Sequence, residues 1–372
     1  MSDSYSVIVV GAGAAGLMAC GTLATRGIKT ALIEQNPILG KKLRITGKGR
    51  CNITNMADIE DLIHNVPVNS NFLYSAFYTF TNQMLVELFE SLGLKTKVER
   101  GGRVFPESDN AKDVVEALKK YALAPNTTLI HGRVKELIIE DNRVTGVLLS
   151  DGRRIMADSV IVATGGVSYP LTGSTGDGYK LAKQAGHTIT PLKPSLVPIV
   201  THDKWVSDVM GLSLKNVSIT IKNKNGKKVY EDFGEMLFTH FGVSGPLILS
   251  ASSHLRDIER NSYTLYIDLK PALDQEKLDN RILRDFQEAS RKQFINSLSK
   301  LLPQRLIDVV VKLSGIDGQT PVNQITREQR QRLVEVLKAL PLGLKCFRPI
   351  FNRILSRDKC IIRGGFDNGI RK

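Results

Sequence analysis

The apolar and polar positions of this chain follow three different rhythms. Tyr5–Val10 is a short, β-branched apolar run that predicts a strand buried on both faces of a parallel sheet. Six small residues follow, Gly11-Ala12-Gly13-Ala14-Ala15-Gly16. Leu17–Thr25 is then rich in helix formers, with Gly27 placed to end the helix, and Lys29–Glu34 predicts a second strand. Strand, glycine turn, helix and strand make a βαβ start with a right-handed crossover. Residues 56–125 read as largely helical, most clearly at Met84–Leu92 and Ala111–Leu123. From Thr128 the rhythm shortens. Leu129–His131, Val134–Glu140, Arg143–Leu149 and Ser159–Ala163 predict strands, with turn residues at Asp141-Asn142 and Asp151-Gly152, so the expectation is an antiparallel meander and a return strand. Asp177–Ala185 reads as a helix.

Pro191, Pro194 and Pro198 mark an exit from this first region. Beyond them, Asn216–Phe233 alternates like a hairpin around Asn225-Gly226, Tyr263–Leu269 predicts a strand, and Gln275–Leu302, Gln304–Leu313 and Arg327–Leu340 predict helices. The expected organisation is a first domain over 1–190, an inserted domain over 191–340 and a return to the first over 341–372.

Composition changes this picture little. A hydrophobic fraction of 42% and a charged fraction of 24% exclude a disordered, collagen-like or disulfide-scaffold chain. Cys20, Cys51, Cys346 and Cys360 form no C-x-x-C pair, which fits a reducing compartment, and no stretch is long and apolar enough for a membrane span; the expectation is a cytoplasmic protein with no membrane partner. No His, Cys or carboxylate cluster has metal-ligand spacing. The formal net charge is +14, but residues 345–372 hold eight basic and two acidic side chains, so much of the excess sits in the tail. Basic clusters lack interleaved aromatics, and a solvated basic surface is expected rather than a nucleic-acid groove. Oligomeric state is not legible.

The chemistry begins at Gly11-x-Gly13-x-x-Gly16. The first glycine permits a tight turn, the second lets a pyrophosphate approach the backbone, and the third packs helix on strand. Glu34, 18 residues beyond Gly16, is placed to accept from a ribose hydroxyl and to repel a 2′-phosphate. Only one such fingerprint is present. The meander followed by the apolar return strand and Thr164-Gly165-Gly166 favours FAD over NAD. The loop Gly40–Asn52 carries five basic residues and can hold pyrophosphate or flavin carbonyls; a solvated basic loop is the alternative.

Together VIVVGAGAAGLMA, GKKLRITGKGRCNITN, GGRVFPES, ATGG, STGDGY and FTHFGVSGP make the chain resemble the YhiN-like family of FAD-binding flavoproteins, over about residues 5–350. The resemblance implies an α/β fold: a Rossmann-like FAD-binding domain of glutathione-reductase or fumarate-reductase type with an inserted β-rich plus helical domain. It implies FAD, with Gly11, Gly13, Ala14, Ala15 and Gly16 at the pyrophosphate and Glu34 at the adenosine ribose. Lys41, Lys42, Gly49, Arg50, Cys51 and Asn52 would lie along the cofactor toward the flavin. Val134 would meet adenine through its backbone, and Thr164, Gly165 and Gly166 the far side of the cofactor. The implied activity is hydride transfer between flavin N5 and a small organic substrate, with NADH or NADPH as a possible external donor. A flavin-dependent RNA-modifying enzyme and a non-catalytic truncated flavoprotein are the alternatives. The last rests on residues 351–372, which do not match the family's second glycine-rich flavin motif and read as an aberrant end; Gly364-Gly365 is a poor substitute.

Single residues stay open. His240 is a candidate general acid or a cap for a helix near Ser244. Cys51 is a redox candidate or a packed loop cysteine. Arg103 binds a substrate carboxylate or a surface acid. Asp177 meets the ribityl chain or caps its own helix.

Overall fold

A computed structural model describes residues 4–259, 262–348, 355–357 and 360–361. The chain divides into two compact units, Met1–Lys193 with Ser356–Lys372, and Pro194–Leu355.

In the first unit the strands are β1 (Ser4–Val10), β2 (Thr30–Glu34), β3 (Thr54–Asn55), β4 (Thr96–Glu99), β5 (Arg103–Pro106), β6 (Thr127–His131), β7 (Val134–Glu140), β8 (Arg143–Leu149) and β9 (Arg154–Val162). The helices are α1 (Ala14–Thr25), α2 (Ile59–His64), α3 (Tyr74–Thr79), α4 (Asn82–Ser91), α5 (Ala111–Ala122) and α6 (Asp177–Gln184). The main sheet runs β6-β2-β1-β9-β8-β7. β1 is its centre, parallel to β2 (Val9 opposite Leu32) and to β9 (Val9 opposite Ile161). Its alternate residues are buried on opposite faces: Val9 packs with Leu17, Leu32 and Leu118, while Ile8 and Val10 pack with Ile33, Val147 and Leu181. That two-sided burial is why Val7–Val10 is uniformly apolar rather than alternating.

Two readings of this region change. Residues 127–131 do not belong to the meander; β6 pairs in parallel with β2. The meander is β7-β8-β9, and β9 is one nine-residue strand that serves both the meander and the parallel sheet. The largely helical reading of 56–125 holds for α4 and α5 but misses a small antiparallel sheet, β3-β5-β4. Its hairpin turns at Gly101 and Gly102, both left-handed (φ 79° and 73°), and its strands are too short to show a period of two.

β10 (Thr188–Ile189) and β11 (Lys193–Ser195) follow. The second unit holds a closed barrel built from β12 (Ile199–Thr201), β13 (Ser213–Asn223), β14 (Lys228–Thr239), β15 (Gly242–Ser244), β16 (Tyr263–Asp268) and β17 (Leu340–Phe347), in the order β12-β15-β14-β13-β16-β17. Val217, Ile219 and Ile221 of β13, Leu265 and Ile267 of β16, and Leu340, Leu342 and Leu344 of β17 are buried, each one apart along its strand, as a filled barrel interior requires. Its helices are α7 (Pro246–His254), α8 (Gln275–Glu288), α9 (Phe294–Ser297), α10 (Gln304–Ser314) and α11 (Arg327–Lys338). The single helix expected over 275–302 is α8 and α9, broken after Glu288. α11 starts on a capping box between Thr326 and Gln329. Late in the chain lie β18 (Leu355–Arg357) and β19 (Cys360–Ile361), the latter antiparallel to β10. Gly364-Gly365 and most of residues 351–372 lie outside the described residues. Among the described residues no helix is long and apolar enough to cross a membrane.

Candidate functional site

The first unit contains a cavity of about 840 Å³ at the carboxyl ends of β1, β2 and β9, large within the usual range for small-molecule sites, roughly 300–1,000 Å³. Its geometry starts with the two glycines that let the β1–α1 turn close. Gly11 sits at φ 102°, and a Cβ there would stand 2.7 Å from the Ala163 carbonyl oxygen on β9's exit. A Cβ on Gly16 would stand 1.8 Å from the Gly11 carbonyl oxygen. Gly13 is different: nothing lies within 4 Å of where its Cβ would be, because that side faces the cavity. Gly13 is also the N-cap of α1. No side chain caps the helix there and no acid occupies its first turn, so the N–H groups of its first turn are left without a side-chain acceptor beside the cavity.

Glu34 ends β2 and is 7% exposed. Its Oε2 accepts from the Ala12 N–H at 2.6 Å, and its Oε1 accepts from the Asn36 N–H at 2.8 Å and from Asn36 Nδ2 at 2.7 Å. The carboxylate therefore braces the glycine turn while lining the cavity, with acceptor capacity left over for a hydroxyl. Beyond it the wall is apolar: Val134, Leu137, Val144, Val160, Val162, Leu181 and Ala185. Val162 is 41% exposed although it belongs to a central strand, so a flat apolar group has surface to cover here.

The structure brings together Gly11, Gly13, Ala14, Ala15, Glu34, Lys41, Lys42, Val134, Thr164, Gly165, Gly166 and Asp177 as cavity lining. Gly16 lies one layer below, against Gly11. Gly49, Arg50, Cys51 and Asn52 do not line the cavity. After a left-handed kink at Gly47 and Lys48 the chain turns away from it. Arg50 pairs with Glu99 and with Asp109 (2.8 Å), and its guanidinium lies 4.0 Å over the Phe105 ring; the Glu99 carboxylate first, then Asp109, holds it above its already high ordinary pKa. The Cys51 thiol is 2% exposed within the core, and burial pushes its pKa up, so the packed-cysteine reading applies. The Asn52 amide, oriented to satisfy its neighbours, donates to the carbonyls of Val104 and Thr54. Arg103 is exposed and donates to the Arg100 carbonyl at 3.3 Å.

Asp177 is the first residue of α6 and not its cap; the N-cap is Gly176. Arg133 grips the carboxylate with two hydrogen bonds, 3.0 and 2.9 Å, and Thr175 adds a third at 2.9 Å. The Arg133 guanidinium, chiefly, holds Asp177 below the usual carboxylate range. His240 belongs to the second unit, exposed in the β14–β15 turn, with its ring edge-to-face with Phe241 at 4.9 Å. It does not cap α7, whose N-cap is Gly245. The sequence reading passed over Gln35, Asn36, Ser168, Thr172 and Gly173 and took in Ser174 only as the start of STGDGY; they form the rest of the wall and its fastenings.

A parallel sheet with a meander, a glycine cradle at a bare helix start, an acid at the end of the second strand and an apolar far wall fit FAD. They define the class of FAD-dependent oxidoreductases. The chain belongs to the HI0933-like family: residues 5–263 match its Rossmann domain and residues 193–354 its barrel and H2TH domain. It is 31% identical over 346 residues to the ribosomal RNA dihydrouridine synthase of Haemophilus influenzae, covering 91% of this chain and 81% of that protein. It is 29% identical over 343 residues to the 3-dehydro-bile acid delta(4,6)-reductase of Clostridium scindens, covering 91% and 82%. The Escherichia coli ribosomal RNA dihydrouridine synthase is 29% identical over 349 residues, covering 93% and 84%.

Proposed function

We propose that this protein reduces a carbon–carbon double bond conjugated to a carbonyl, in an organic substrate. The carrying observation is the Glu34 cradle with its bare α1 start, because it supplies one dinucleotide site and the chain has one glycine fingerprint. Two relatives of different substrate support this reading, since a dihydrouridine synthase and a delta(4,6)-reductase are both named for the saturation of carbon–carbon double bonds. When bound, FAD supplies the hydride at N5. The protein's own part is to hold and orient. The backbone N–H groups at Gly13–Ala15 would hold the pyrophosphate, Glu34 the adenosine ribose, Val134 with its apolar neighbours the adenine, and Thr164–Gly166 the far side of the cofactor. The chain carries a single fingerprint, so a nicotinamide donor would have no Rossmann site of its own.

The test is anaerobic reduction of the FAD-loaded protein by NADH or NADPH, followed by an enone acceptor. Reoxidation with one equivalent of saturated product is expected. Reoxidation by none of a panel of conjugated acceptors, with turnover of amines and oxygen instead, would overturn the reading. A second reading, in which the double bond is in an RNA base, is favoured by the β13–β14 turn. Lys222, Lys224, Lys227 and Lys228 stand exposed within seven residues, on a turn held by the Asn223 side chain. A salt titration of RNA binding decides it: affinity should fall steeply with log salt if phosphates are gripped, and flat or absent binding removes it.

A further inference from the structure

Between the end of β9 and α6 the chain runs through a segment, 168–175, with little regular structure of its own beyond one 3-10 turn at Pro170–Thr172. Tyr169 and Gly173 are left-handed (φ 53° and 96°), and Leu171 at its tip is 90% exposed. Yet Thr172, Gly173 and Ser174 form part of the cavity wall. Side chains from the segment just after β2 fasten them. Gln35 Nε2 donates to the Gly173 carbonyl at 2.8 Å, and Asn36 Nδ2 to the Thr172 carbonyl at 3.3 Å. The strongest fastening is Lys42, whose ammonium donates to the Ser168 carbonyl at 2.7 Å and to Ser174 Oγ at 2.6 Å. Both serines are buried, 6% exposed each. Bonds from a charged donor to buried acceptors are about twice as strong as neutral ones.

We propose that Lys42 is a positioning residue for cofactor exchange: it does not itself grip phosphate but fixes segment 168–175 as a removable wall of the FAD cavity. The proposal rests on the FAD reading of that cavity. Lys41, which also lines the cavity and has no side-chain partner among the described residues, is the ammonium left to meet an anion there. With its ties to Ser168 and Ser174 gone, the wall opens more often and FAD leaves sooner, while entry is little changed.

Two measurements on Lys42→Met and Lys42→Arg test this. Hydrogen exchange of the apo protein should quicken in peptides covering 166–176 and nowhere else. FAD release, followed by flavin fluorescence, should quicken about tenfold in Lys42→Met, the equivalent of one lost hydrogen bond to a charged group, with the association rate nearly unchanged. Lys42→Arg should recover part of both. Ser174→Ala should act in the same direction as Lys42→Met and add nothing to it in the double variant. Unchanged exchange over 166–176 in Lys42→Met overturns the proposal, as does a fall in association rate with release unaltered, which marks a direct phosphate ligand. If the wild type takes up no FAD, the cofactor reading fails, and with it the exchange role, while the hydrogen-exchange arm still reports on the wall.

Discussion

Glu34→Gln removes one charge and one acceptor and adds a donor, at a position where every neighbour is a donor. The carboxylate takes three N–H bonds, from Ala12, Asn36 and the Asn36 amide, and is 7% exposed. A glutamine keeps one oxygen. If it faces Ala12, the Asn36 backbone N–H meets an NH2 group; if it faces Asn36, the Ala12 N–H does. The Asn36 amide cannot turn its own oxygen inward without giving up its bond to Thr172. At least one bond to a charged acceptor is lost, about 1.5–3 kcal/mol. For a unit of this size that is roughly 3–12 °C in melting temperature at 2–4 °C per kcal/mol. The assay is a thermal or urea melt of the apo protein, so that lost cofactor stabilisation does not enter. Glu34→Asp should lose a similar amount, since a side chain shorter by one methylene does not reach both partners. Apo melting points within 1 °C of wild type for both variants would show that Glu34 does not brace the turn.

Three further outcomes follow from the same geometry. Gly16→Ala places a carbon 1.8 Å from the Gly11 carbonyl oxygen, so the β1–α1 turn must shift; FAD uptake should be abolished or nearly so, read by the visible spectrum after reconstitution. Asp177 is held below its ordinary range by Arg133. Its contribution is present above the unfolded value, about 3.9, and is lost as pH falls through the lower folded one; urea midpoints of Arg133→Met should be flatter than wild type on the acid side. Cys20, whose pKa burial pushes up to about 12, and Cys51 should stay unlabelled by iodoacetamide in the native protein, as peptide mapping would show, and react once urea unfolds it.

The first 34 residues were the most legible because every level agreed there. The apolar run, the glycines and the acid all answer to one compact local unit. The β13–β14 hairpin was legible for the same reason, through alternation and its Asn-Gly turn. What escaped was set by distant partners. β17 pairs with β12 and β16 to close the barrel, but in Leu340–Phe347 the alternation of Leu340, Leu342 and Leu344 is interleaved with Pro341 and Gly343, which disfavour strands and read as the stop of α11. Arg50 reads as a cofactor contact because a cation in a glycine loop looks the same in sequence whether it faces a ligand or, as here, Glu99, Asp109 and the Phe105 ring. Lys42 sits among residues that share its charge, and only the fold shows that Ser168 and Ser174 meet it. His240 and Asp177 drew attention by residue type, and neither fills the capping role that type suggested.

The order of strands in the main sheet also bears on how the chain is made. β1 leaves the ribosome well before its second neighbour, β9, which pairs Ser159 with Val7 from about 150 residues later in the chain. Until β9 is synthesised, the sequence Val7-Ile-Val-Val10 keeps an open, apolar edge, available to any other nascent strand. The nucleotide cradle is nearly finished early, but the floor beneath it arrives with Val160–Val162. Birth of this protein therefore includes a long interval with half a sheet, and growth at elevated temperature or in cells short of holdase chaperones should lower soluble yield through this strand before it lowers the stability of the finished fold.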